Sequence, residues 1–206
     1  MATPAEPGHE RAVLELIHQR RAVRAYTSEP LGQPTIRTLL DAAVHAPTAM
    51  HLEPWAFVVV QDRAALKRLS DTAKVIVQEE AKHRELLKAP GVSPRGSSHV
   101  ALLSDPRFNI FYDAGTLIVI CGRPLGSFVE ADCWLAAENL MLAACAIGLG
   151  TCCIGFAVPA LNTPAVKHEL RIPAEVTAVA PIIVGVPSGP TPPVPRKAPV
   201  ILNWVR

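Results

Sequence analysis

The stretch from Asp132 to Gly155, DCWLAAENLMLAACAIGLGTCCIG, constrains the fold more than any other. Between Asp132 and Ile147 only Asp132, Glu138 and Asn139 are strongly polar, and good helix formers dominate the rest. A helix that is apolar on nearly every side has to be buried on nearly every side. At about 1.5 Å per residue it is roughly 24 Å long, the width of a small domain. It is too short, and carries too many acids, to span a membrane. A compact chain of 206 residues hardly covers such a helix alone, so a second subunit is expected to cover one side. Gly148 and Gly150 stop the helix, and Thr151–Ile154 reads as a short buried strand. Such a corner leaves backbone N–H groups free near the core, where a flat ligand can use them.

The chain is 50% hydrophobic and 18% charged, which fits one globular domain over residues 1–206. A net charge of +2, with no basic run interleaved with aromatics, argues against broad nucleic-acid binding. MATPAEPGHE has no hydrophobic signal region, so a cytoplasmic location is expected. Five cysteines (121, 133, 145, 152 and 153) lie in apolar surroundings and read as reduced, buried thiols.

In chain order, residues 1–8 read as a loose tail. Glu10–Arg20 suits an amphipathic helix, with Val13, Leu14, Leu16 and Ile17 as its apolar positions. Thr35–His45 is a second helix, closed by Ala46-Pro47. Ala56–Gln61 (AFVVVQ) is a buried strand, and Arg63–Leu87 a long helix with a possible break. The Pro/Gly/Ser-rich stretch Ala89–Ser104 reads as a mobile surface loop that could cover a substrate. Leu117–Cys121 (LIVIC) is the second strand. Pro159–Leu170 is read as one helix, and Val176–Val186 as a strand interrupted or restarted at Pro181. The prolines clustered between Pro187 and Pro199 make residues 188–206 a stiff strap. It carries the apolar run Val200-Ile201-Leu202, suited to docking on a sheet edge, including that of a partner subunit.

Three stretches could carry chemistry. Arg20, Arg21 and Arg24 can hold a phosphate or a developing anion, or simply form a solvated cationic helix end. Ala46–Trp55, small residues between prolines, lets backbone approach a flat ring, or is an ordinary connection with Trp55 in the core. His51 is its strongest titratable base. Arg196-Lys197 can reach a phosphate from an extended arm, or stay solvated. Other chemistries fail on spacing: there is no GxGxxG, GxxxxGK[ST], CxxC, HExxH or GxSxG, and no metal site is expected. Cys152-Cys153 could supply a nucleophile, but neighbouring thiols in an apolar strand are ordinarily inert.

Taken together, these stretches resemble the FMN-dependent nitroreductase family. RRAVR is similar to that family's Arg-Arg-Ser-x-Arg motif, and APTAMHLEPWAFVVV to its APSGGNLQPWxFVVV segment. AAENLMLAACAIGLGTCCIGF resembles AxxNLxLAAxxxGLGxxWIG, and APIIVGVPSGPTPPVPRK resembles the closing strand and strap. The matches run in the family's order over about residues 11–200. Ala22 stands where a hydroxyl is usual, His51 replaces Asn, Glu53 replaces Gln, and Cys153 replaces Trp; Ala49-Met50 is bulkier than the usual pair.

The resemblance implies an α+β sandwich with a mainly antiparallel sheet flanked by helices. It also implies a homodimer with a domain-swapped C-terminal arm and FMN at the subunit interface. Arg20 and Arg21 are then expected to hold the FMN phosphate and ribityl chain, with Arg24 near the N1/O2 edge of the flavin. Pro47, Thr48, Ala49 and His51 are expected from the other subunit. Cys153, Ile154 and Gly155 are expected to border the ring, and Arg196 and Lys197 to complete the phosphate site. The implied activity is electron transfer from NADH or NADPH through FMN to a nitroaromatic, quinone or similar small-molecule acceptor. No catalytic side chain is assigned. The alternatives are a non-catalytic FMN-storage protein, or another flavin chemistry of the family such as dehalogenation, flavin breakdown or azoline oxidation.

Overall fold

The computed structural model describes residues 7–86 and 102–206, with the side chains of residues 12–83 and 102–206. Four strands form one antiparallel sheet in the order β1-β2-β4-β3: β1 (Trp55–Val60), β2 (Thr116–Gly122), β3 (Gly150–Cys153) and β4 (Thr177–Gly185). The helices are α1 (Pro7–Gln19), α2 (Gln33–Val44), α3 (Arg63–Leu86), α4 (Val129–Ala146), α5 (Val158–Leu161) and α6 (Pro164–Glu169). This is the expected α+β architecture.

β2 explains why the sheet sits in the middle. Every residue of TLIVICG is buried, because helices cover both of its faces. Successive side chains point to opposite faces. Leu117, Val119 and Cys121 enter one core with Leu66, Leu69 and Ala73 of α3 and Ala160 and Leu161 of α5. Ile118 and Ile120 enter the other, with Leu39 of α2 and Ala136, Leu140 and Ala144 of α4. The layers are thus α2 and α4, the sheet, then α3 with α5.

Four expectations need correction. α1 begins at Pro7, inside the stretch read as a tail, because proline suits the first helical turn, where its missing N–H costs nothing. α3 runs unbroken over Arg63–Leu86. The single helix over Pro159–Leu170 is two. Thr163 caps α6, its Oγ1 accepting from Val166 N–H at 3.3 Å, with Pro164 following. Asn162 meanwhile turns to β4, exchanging two hydrogen bonds with the Ala178 backbone at 2.9 and 3.0 Å. β4 passes through Pro181 without a break. The Pro181 carbonyl accepts from Ile154 N–H at 2.9 Å, and its missing N–H would have faced the Ile154 carbonyl. That carbonyl already accepts from Ala157 N–H at 2.9 Å, so no donor is wanted there.

α4 is buried on the sheet side but not all round: Trp134 and Leu135 are 38% and 45% exposed. Val13, Leu14 and Ile17 of α1 and Phe128, just before α4, are exposed as well. No described helix is long and apolar enough to cross a membrane. The stretch read as a substrate cover falls outside the described residues at 89–101. Leu102–Leu103 then make a helical turn with Leu103 buried.

Candidate flavin site

The arginine segment after α1 is laid along the edge of the sheet. Val23 N–H donates to Thr151 O at 2.9 Å, Thr27 N–H to Val186 O at 2.9 Å, and Ser188 N–H returns to Ala25 O at 3.0 Å. Two glycines allow the approach. A Cβ on Gly150 would lie 2.6 Å from Val23, and one on Gly185 would lie 3.2 Å from the Tyr26 ring. Tyr26 is buried, donates its hydroxyl to Val23 O at 2.7 Å, and has its phenol pushed well above the usual range by burial. The strand edge therefore fixes where the three arginines start.

Arg20 and Arg21 line a small cavity of about 260 Å³ with Gly148–Thr151, Pro187 and Thr191. Arg21 donates to the carbonyls of His18 and Arg20, closing the end of α1. Arg20 Nε is buried and lies 3.3 Å from Glu138 Oε1, an ion pair without hydrogen-bond geometry.

Arg24 points to a second, larger cavity of about 520 Å³, shared with Cys152, Cys153, Ile154 and Gly155. Its other wall is Leu102, Phe108, Ile110, Tyr112 and Phe156. The Arg24 guanidinium sits 6.0 Å from the centre of the Tyr112 ring, within cation–π range. Phe108 and Tyr112 meet edge to face at 5.5 Å. Because Ile154 N–H goes to β4, the antiparallel alternation turns the Cys153 N–H toward the outer edge of β3. An apolar slot of this size, with a backbone donor on one side and a guanidinium at the rim, fits a flat conjugated ring. The cavity lined by Arg20 and Arg21 is cationic and fits a phosphate.

Burial works against the thiolate form at Cys152 and Cys153. Burial pushes Cys153 up to about 11 and Cys133 up to about 12, and raises Cys152 despite the nearby Arg24 and Arg20. A thiol at about 11 is roughly one part in three thousand thiolate at pH 7.5. Cys153 should therefore react with iodoacetamide on the order of a hundredfold slower than free cysteine at that pH. The rate should climb about tenfold per pH unit up to the raised value, as read by peptide mass spectrometry.

One chain does not unite all the residues singled out from sequence. Pro47, Thr48, Ala49 and His51 lie on the α2–β1 loop and line neither cavity. The loop is nonetheless built to hold a shape. Ala49 N–H donates to the buried Asp132 Oδ1 at 3.2 Å, and Arg123 donates to Glu53 O at 2.6 Å and Pro54 O at 3.4 Å. Met50, His51 and Glu53 all take positive φ (56°, 54° and 43°), a strain that these clamps support, and Met50 is pushed out to 85% exposure. Arg196 and Lys197 are exposed on the extended arm, away from both cavities, although Thr191 at the arm's start touches the Arg20–Arg21 cavity. Sequence reasoning missed the aromatic wall. FNIFY (108–112) has no period of helix or strand, and only its density of aromatics marks it.

The model of the family described as Nitroreductase family matches residues 17–186. A relative from Archaeoglobus fulgidus, named as an NADH dehydrogenase/NAD(P)H nitroreductase, is 27% identical over 174 residues, 84% of each chain. The FMN-dependent nitroreductase of Clostridium difficile superimposes with a TM-score of 0.73 at 23% identity, over 95% of this chain and 100% of that one. An iodotyrosine deiodinase bound to FMN and 3-iodo-L-tyrosine superimposes with a TM-score of 0.67 at 23% identity, over 94% and 100%. The family match spans the loop before β1 and the arginine segment, β3 and residues 108–112 that line the two cavities, and on that match this chain is a member of the nitroreductase family.

Proposed function

We propose that this protein is an FMN-dependent NAD(P)H oxidoreductase that reduces nitroaromatics, quinones or similar electron-poor acceptors. The observation that carries this reading is the pair of cavities lined by the arginine segment. One has Arg24 and the Cys153–Gly155 segment at its edge, and the other is lined by Arg20 and Arg21. FMN held there would supply the redox chemistry that links a nicotinamide donor to the acceptor. Arg20 and Arg21 bind the phosphate end. Arg24 places positive charge where the reduced ring gathers negative charge, which favours reduction. The Cys153 N–H and the flat apolar walls orient the ring, and the walls keep water from it.

In this reading the protein works as a homodimer. Pro47, Thr48, Ala49 and His51 reach the flavin from the other subunit, and Arg196 and Lys197 arrive on the swapped arm. The exposed apolar groups on α1, on and beside α4, and along the arm support it, because such surfaces call for a partner. The name of the Archaeoglobus relative supports NADH or NADPH as donor. The test is a spectrum. The purified protein should take up FMN, bleach under anaerobic NADH or NADPH, and recolour when nitrobenzene or menadione is added. Protein that holds FMN but never bleaches would instead be a flavin-storage protein.

A further inference from the structure

One face of α3 carries three polar side chains at helical spacing, Ser70, Lys74 and Gln78. Ser70 is 1% exposed and Lys74 7%, so two of the three are buried. Each holds the backbone of the segment that walls the Arg24 cavity. Ile110 N–H donates to Ser70 Oγ at 3.1 Å. Lys74 Nζ donates to Phe108 O at 2.9 Å and reaches Pro106 O at 3.5 Å. Gln78 Nε2 donates to Leu103 O at 2.8 Å. Asp71 supplies the counter-charge 3.1 Å from Lys74, and the Lys67 ammonium hydrogen-bonded to it holds its carboxyl below the usual range. A buried lysine costs free energy, and this one is spent on the carbonyls of a segment without regular structure.

That segment cannot hold itself in place by a sheet or helix ladder. Local turns shape it (Phe108 N–H to Asp105 O at 3.1 Å, Tyr112 N–H to Asn109 O at 2.9 Å), and Tyr112 and Asp113 take positive φ (51° and 56°), but these turns do not tie it to the rest of the fold as a ladder would. It brings Phe108, Ile110 and Tyr112 to the cavity.

We propose that Ser70, Lys74 and Gln78 are positioning residues that grip residues 103–110, and through them set the room Phe108 and Tyr112 leave for the electron acceptor. The proposal rests on the flavin reading of the cavity. The grip makes the protein selective for acceptor size without touching flavin or acceptor. It follows that loosening it changes which acceptor is taken more than it changes FMN binding.

Lys74→Met keeps the length of the chain and removes the donor; Gln78→Met removes one neutral hydrogen bond and serves if Lys74→Met folds poorly. In flavin-free protein, amide exchange over residues 103–112 should quicken about tenfold in Lys74→Met, while β2 exchanges as in the wild type. In flavin-loaded protein, the ratio of KM values for menadione and nitrobenzene should shift at least about fivefold, and by more than FMN affinity does. Lys74→Arg, which keeps a donor, should recover most of both effects. Unchanged exchange, or faster exchange with an unchanged KM ratio, overturns the proposal while the flavin reading stands. Protein that takes up no FMN overturns the flavin reading and the selectivity claim together.

Discussion

Replacing Arg20 and Arg21 together by methionine should leave the protein colourless, with FMN affinity reduced by about a hundredfold to ten-thousandfold. A hydrogen bond to a charged group is worth about 1.5–3 kcal/mol, and two guanidinium groups on one phosphate are about twice that. The loss is specific to the ligand, because neither arginine does much for the fold. The Arg20–Glu138 pair is partly exposed and worth under about 1 kcal/mol. Arg21 closes the end of α1 through carbonyls that water can also satisfy. Titration of flavin fluorescence with wild-type and doubly substituted protein measures the difference. Equal affinities would remove the cationic cavity from the site. The single Arg24→Met variant should behave differently. It should keep most FMN affinity and make the flavin harder to reduce, since in the proposed site its charge would face the ring and not the phosphate.

The second large effect belongs to the arm. Val200, Leu202 and Val205 are 85%, 95% and 86% exposed, and Ile201 and Trp204 are 62% and 69% exposed. Five apolar side chains in one short strap have no cover within a single chain. Burying a large apolar side chain is worth about 1.5–3 kcal/mol, and ordering the arm against the partner takes back part of that. In the proposed homodimer, even a few kcal/mol per arm, counted for two arms, would dominate the association. A chain ending at Pro190 should therefore weaken the dimer by a thousandfold or so. It should lose FMN in parallel, since Arg196 and Lys197 leave with the arm. The sheet lies wholly upstream of the cut, so far-ultraviolet circular dichroism and thermal unfolding should show a folded chain. A truncated protein that dimerises and binds FMN like the whole one would return the arm to solvent.

Much of the fold is legible in the sequence because apolar runs report burial directly. LIVIC is buried on both faces and reads as such without alternation. α4 is legible as a helix, but which of its faces is covered is not. Trp134 and Leu135 look like Leu140 in the sequence and differ only in lying outside one chain's core. The Asn162-Thr163-Pro164 cap was present to be read, yet the continuous apolar pattern around it suggested one helix. The continuity of β4 through Pro181 depends on β3 ending opposite it, which no local rule reveals.

The site is legible where it is local and silent where it is assembled. RRAVR and the CCIG corner are local runs that meet at the outer edge of β3. The support is long-range: Asp132 holding Ala49 across 83 residues, and Lys74 holding Phe108 across 34. A single sequence carries no mark of such pairs.

The central claim is that two chains together form each flavin pocket, and sedimentation equilibrium of the flavin-loaded protein tests it most directly. The account predicts one species at twice the 22.1 kDa chain mass, with the flavin absorbance travelling at that mass. A species at 22.1 kDa that still carries bound FMN would contradict it.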